Sequence, residues 1–154
     1  MKKMCTILLF IILFLFLMGC SSKRNPISMQ EFETIIRKKN YNYTNIKDHY
    51  LEDSTIQDAG IAYTSVWQVE FYILDTEENA IKMYDDNQSN YEDLKDTIHT
   101  YSLDEHSYKN GDTYSLITNK DYLYISRIDN TVIFTYVPVE YYNKVHHFIN
   151  ELGY

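Results

Sequence analysis

The chain has 154 residues, a formal charge of −8, a pI near 5.0 and a mean hydropathy of −0.40. That length suits one domain with a sizeable core, and acidity without a basic patch gives no electrostatic footprint for nucleic acid. With only four glycines no Gly-rich phosphate loop is available, and two cysteines leave little room for disulfide chemistry.

Lys2 and Lys3 precede an uncharged apolar run that closes on Leu17-Met18-Gly19-Cys20. A cationic start, an apolar middle and a small residue before the cut are the layout of a signal peptide. The four closing residues resemble the lipobox of bacterial lipoproteins. Met4 to Gly19 is 16 residues, short of the roughly 20 that a spanning helix needs, so a cleaved signal is favoured over a retained transmembrane anchor. The expectation is a signal peptide at 1–19, cut between Gly19 and Cys20. Cys20 then takes up a diacylglyceryl group through its thiolate, and two acyl chains burying CH₂ groups at about 0.8 kcal/mol each anchor the chain stably. Cys5 leaves with the signal, so the remainder keeps no disulfide, free thiol or cysteine metal site.

Residues 20–27 read as the lipidated cysteine and a short tether, with Lys23 and Arg24 near lipid headgroups, where each contributes about 1 kcal/mol against anionic lipid. The domain then occupies 28–154. Ser28 and Glu31 fit a capping box, and Phe32, Ile35 and Ile36 at helical spacing predict a helix over 28–39. Residues 40–58 are polar and aromatic without a clean period. Gly60 to Ile73 alternates as one strand, placing Ile61, Tyr63, Trp67, Val69, Phe71 and Ile73 on one face and Thr64, Gln68 and Glu70 on the other. Asp75 with Glu78 marks a second helix start, and Ala80, Met83, Tyr84, Asn87, Tyr91 and Leu94 trace its stripe to about residue 95. Beyond residue 98, Asn110-Gly111, Asn119-Lys120 and Asp129-Asn130 punctuate strands at 114–118, 122–128 and 131–137. Pro138 opens a last helix with Tyr142, Val145, Phe148, Ile149 and Leu152 on one face, and Gly153 caps it. The order predicts an α+β fold: an antiparallel sheet of about five strands with helices packed on one face.

Glu70-Phe71-Tyr72, Arg127-Ile128-Asp129-Asn130-Thr131 and Leu152-Gly153-Tyr154, behind the lipobox, resemble a group of small uncharacterised lipoproteins of low-GC Gram-positive bacteria. The resemblance spans nearly the whole chain. It implies a single domain on the outer face of the cell membrane and transfers no catalytic residue.

Several constellations bear on chemistry. Oxygen donors at 85, 87, 89, 93 and 96 approach the spacing of a calcium-binding loop, but Asn90 stands where glycine is needed and Glu92 where an apolar residue is needed. His49, His99, His106, His146 and His147 contain no i, i+4 pair for zinc. No serine lies in a G-x-S-x-G or S-x-x-K setting. No metal, cofactor or catalytic set is expected. Glu70, an acid within an apolar strand, is expected to be exposed or paired with Arg127. Tyr114, Tyr122, Tyr124 and Tyr136 are expected to form an aromatic strip across adjacent strands, a contact surface for sugars, peptides or proteins. The reading is a lipid-anchored extracytoplasmic binding module for an envelope protein, peptide or wall polymer. The alternative is a small envelope hydrolase using Glu70 and a histidine.

Overall fold

The computed structural model describes residues 23–95, 98 and 101–154; Gly19 and Cys20 lie outside them. Three α-helices, α1 (Met29–Lys38), α2 (Glu77–Lys95) and α3 (Tyr142–Glu151), pack on a single seven-stranded sheet. The strands are β1 (Asn42–Asn45), β2 (Ile56–Tyr63), β3 (Gln68–Leu74), β4 (Tyr101–Tyr108), β5 (Gly111–Thr118), β6 (Asp121–Ile128) and β7 (Thr131–Pro138). All pairings are antiparallel, in the order β1-β2-β3-β7-β6-β5-β4. None of the helices described is long and apolar enough to cross a membrane.

Local rules account for most boundaries. The Ser28 hydroxyl accepts from the Glu31 amide at 3.2 Å while Glu31 accepts from the Ser28 amide at 2.8 Å, the reciprocal pair that starts α1. Thr76, rather than Asp75, caps α2, its hydroxyl accepting from the Asn79 amide at 3.2 Å. Gly153 follows α3 at φ +87°, a conformation that costs glycine little. Asp129 bends the β6–β7 turn at φ +49°.

The expectation of one helical face is corrected. Phe32 and Ile36 of α1 and Val145, Phe148 and Ile149 of α3 meet Val69, Phe71, Tyr122, Tyr124 and Ile133 on one side of the sheet. Ala80, Tyr84 and Tyr91 of α2 meet Tyr72, Leu74, Tyr114, Leu116, Leu123, Ile125 and Val132 on the other. The central strands are therefore buried on both faces. Tyr122-Leu123-Tyr124-Ile125 runs apolar without alternation, as a strand covered on both sides must.

Two further corrections concern strands. The stretch from Gly60 to Ile73 is a hairpin, with Ala62 opposite Val69 and Ile61 opposite Glu70. Its turn contains no glycine, asparagine or proline; the Thr64 hydroxyl accepts from the amides of Val66 and Trp67, both at 3.3 Å, and does the work those residues do elsewhere. The seven strands exceed the expected five because that run divides in two and because Asn42–Asn45 adds a polar edge strand.

Candidate functional site

The four tyrosines expected in a strip do not share a surface. Tyr122 and Tyr124 point into the α1/α3 core, Tyr114 into the α2 core, and all three are at most 4% exposed. Successive strand residues alternate faces, and with both faces covered the rings become core. Burial also pushes the Tyr114 hydroxyl up to about 12 and the Tyr122 hydroxyl higher still. Tyr136 alone is open, at 53%.

The expected Glu70–Arg127 pair is not formed. β7 lies between their strands, and Arg127 instead binds Glu77 of α2 and Asp112 of β5, each at 2.9 Å. Asp85 to Asp93 is continuous helix, which excludes a calcium loop there. His106 is exposed beside Asp104, and His146 is half-buried against the Tyr122 hydroxyl at 3.2 Å. His99 lies outside the described residues. Among the described residues, no three His, Cys, Asp or Glu side chains cluster to hold a metal.

A different surface emerges around Glu70 and Tyr136. On the α2 side of the sheet, α2 covers β3, β7 and β6, and the 3₁₀ turn Lys47–Tyr50 packs on β2. The part of β1, β2, β3 and β7 near the Thr64–Trp67 turn stays open. Cross-strand partners Thr44, Ile61, Glu70 and Phe134 form one row there. Asn42, Tyr63 and Gln68 form the next, and the same register carried on to β7 sets Tyr136 beside Gln68. Tyr63, 37% exposed, and Tyr136 thus flank Gln68, with backbones about 10 Å apart at ordinary strand spacing. A groove of about 280 Å³ lined by Thr64, Ser65, Val66, Trp67, Gln68 and Tyr136 adjoins them. Val66 adds apolar surface at its rim.

Glu70 is held by a hydrogen-bonded chain. Gln68 Nε2 donates to Oε1 at 2.9 Å, and the Tyr72 hydroxyl donates to Oε2 at 2.5 Å. The Tyr50 hydroxyl lies 2.8 Å from that of Tyr72; since the Tyr72 hydroxyl donates its hydrogen bond to Glu70, Tyr50 is the donor between the two tyrosines. Burial and the Glu70 carboxylate together push the Tyr72 hydroxyl far above its ordinary range, so it remains a donor. The stacked ring of Phe134, 5.6 Å away and 4° off parallel, fixes Tyr72. The arrangement offers a fixed carboxylate one row in from the Tyr63–Gln68–Tyr136 row, able to accept a hydrogen bond or attract a cation. No histidine is among Glu70's hydrogen-bond partners in the described residues. The alternation of the strand revealed Glu70 in the sequence; Tyr63 and Gln68 were hidden because their neighbours are set by the hairpin.

No family model and no curated protein matches the chain. Among solved structures, the crystal structure of a GTP binding regulator from Thermotoga maritima is similar at 13% identity and a TM-score of 0.42, over 82% of this chain and 85% of that one. At that score the likeness carries no weight for function.

Proposed function

We propose that the protein is a lipid-anchored extracytoplasmic binding module, held to the cell membrane through Cys20, whose ligand docks on the open sheet region around Tyr63, Gln68, Glu70 and Tyr136. The observation that carries the binding reading is the carboxylate fixed by Gln68 and Tyr72 beside the part of the sheet that α2 leaves open. Tyrosine rings offer flat apolar area at low entropic cost, with hydroxyls that tolerate water. The ligand chemistry this fits is an envelope protein, peptide or wall polymer that lays an apolar or sugar face on the rings and points a donor or cation at Glu70. The anchor is supported by the apolar run and the lipobox-like Leu17-Met18-Gly19-Cys20. The acidic domain is repelled by anionic lipid, and that keeps it in solution above the bilayer.

The reading is tested by capture from isolated cell envelopes on immobilised domain, comparing wild type with Glu70→Gln and Tyr136→Ala. Retention of one protein or one class of wall fragment by wild type, and its loss in both variants at unchanged thermal midpoint, is the expected result. Equal retention by all three would remove this surface as the binding site.

A further inference from the structure

The segment that follows Cys20 is not a loose tether where it is described. Arg24 exchanges two hydrogen bonds with Asn110, its amide donating to Oδ1 at 3.0 Å and its carbonyl accepting from Nδ2 at 2.8 Å. The Arg24 guanidinium donates to the Gly153 carbonyl at 2.6 and 3.2 Å, reaches the Thr113 hydroxyl at 3.3 Å, and lies 4.6 Å from the Tyr108 ring centroid. Asn110 also donates to Asp129 at 3.0 Å, tying in the β6–β7 turn, and Ile27 packs against the α1/α3 core. Arg24 is therefore fixed at one end of the sheet, the end formed by the turns Lys109–Asn110 and Asp129–Asn130 and by the C-terminus.

Three residue steps separate Cys20 from Lys23, a reach of about 10 Å even when fully extended. We propose that this clamp sets the orientation of the domain on the membrane. The turns at Lys109–Asn110 and Asp129–Asn130 face the lipid headgroups, and the Tyr63–Glu70–Tyr136 surface faces away from the bilayer. Lys109, and Lys23, which is exposed but lies 4.0 Å from the Asp129 carboxylate, are the cations placed to meet anionic headgroups. The opposite end of the sheet, with the Thr64–Trp67 and Asn119–Lys120 turns, stands a strand length further out, about 24 Å along β6. The proposal rests on the reading of Cys20 as the lipid-bearing residue.

The test uses the full chain extracted from bacterial membranes and reconstituted into phosphatidylcholine/phosphatidylglycerol vesicles that carry a nitroxide on a fraction of headgroups. A fluorophore is placed at Lys109→Cys in one preparation and at Asn119→Cys in another, and co-flotation with the vesicles is scored first. The expected result is co-flotation of both, with severalfold stronger quenching at Lys109→Cys. A flexible Gly/Ser insertion between Ser22 and Lys23, which leaves every bond of the clamp in place, is expected to abolish the difference. Co-flotation with equal quenching at the two positions would overturn the fixed orientation while leaving the lipid anchor standing. Failure to co-float would remove the anchor, and the orientation with it.

Discussion

Arg127 enters the α2 side of the sheet with its side chain 7% exposed, bound by Glu77, Asp112 and the Asp129 carbonyl. Replacing one member of a buried ion pair costs about 3–5 kcal/mol because its partners are left uncompensated. Here both carboxylates retain access to water, which softens that penalty. Arg127→Met is therefore expected to cost about 2–3 kcal/mol in urea unfolding; a change within about 0.5 kcal/mol would show the pairs to be inessential. At Gly111 an added Cβ would meet the Arg127 carbonyl at 2.1 Å, a backbone atom that cannot swing aside. Gly111→Ala should cost about 3 kcal/mol or more, the upper range for overpacking, whereas a wild-type unfolding midpoint would contradict the close approach. His146 is held below its ordinary pKa by burial. A histidine depressed in the fold is neutral in both states at high pH, and below 6.5 the unfolded chain takes up the proton first. Thermal stability should accordingly fall as pH drops below 6.5, and His146→Gln should flatten that slope. The lowered carboxylates Glu31, Asp53 and Glu151 act only in a more acid window.

Elements were legible where a local rule decides them. The capping box of α1, the stripe of α2, the stripe and Gly153 end of α3 and the three turns of the β4–β7 meander all obey local spacing or turn chemistry. What stayed hidden was fixed by tertiary context. The β2–β3 turn is closed by Thr64 in place of a turn-forming residue, so alternation ran unbroken through it. β1 is short, polar and at the sheet edge, so no apolar face announced it. The aromatic strip failed because the register sets Tyr114 opposite Ile125 and Tyr136 opposite Leu123, on the face away from Tyr122 and Tyr124, and because helices cover both faces. β4 illustrates the energetic side of the same point. It lies at the other edge, pairs with β5 alone and buries none of its residues. Hydrogen exchange should accordingly be fastest in β4 and slowest in β6, the strand buried along nearly its whole length. Comparable protection in the two would contradict the exposed-edge description.

Taken as a whole molecule, the fold separates two ends. Arg24, Asn110 and Gly153 gather at one end of the sheet, while the open surface with Tyr63, Gln68 and Tyr136 lies toward the other. A sheet covered by helices over its centre stays open toward its edges, and on the β1–β2–β3–β7 side the exposed rings can be altered at little cost to stability. The buried tyrosines behave oppositely: Tyr122→Ala should cost about 3–5 kcal/mol by opening a cavity in the α1/α3 core, and would report on folding instead of binding. The most direct test of the central claim is site-specific photocrosslinking in intact cells, with a photoreactive residue at Tyr63, at Tyr136 or, as a control on the same end of the sheet, at Asn119. The account predicts one shared adduct at Tyr63 and Tyr136, none at Asn119, and its loss when Glu70→Gln is added. Adducts at Asn119 with none at the two tyrosines would show that recognition occurs elsewhere on the domain.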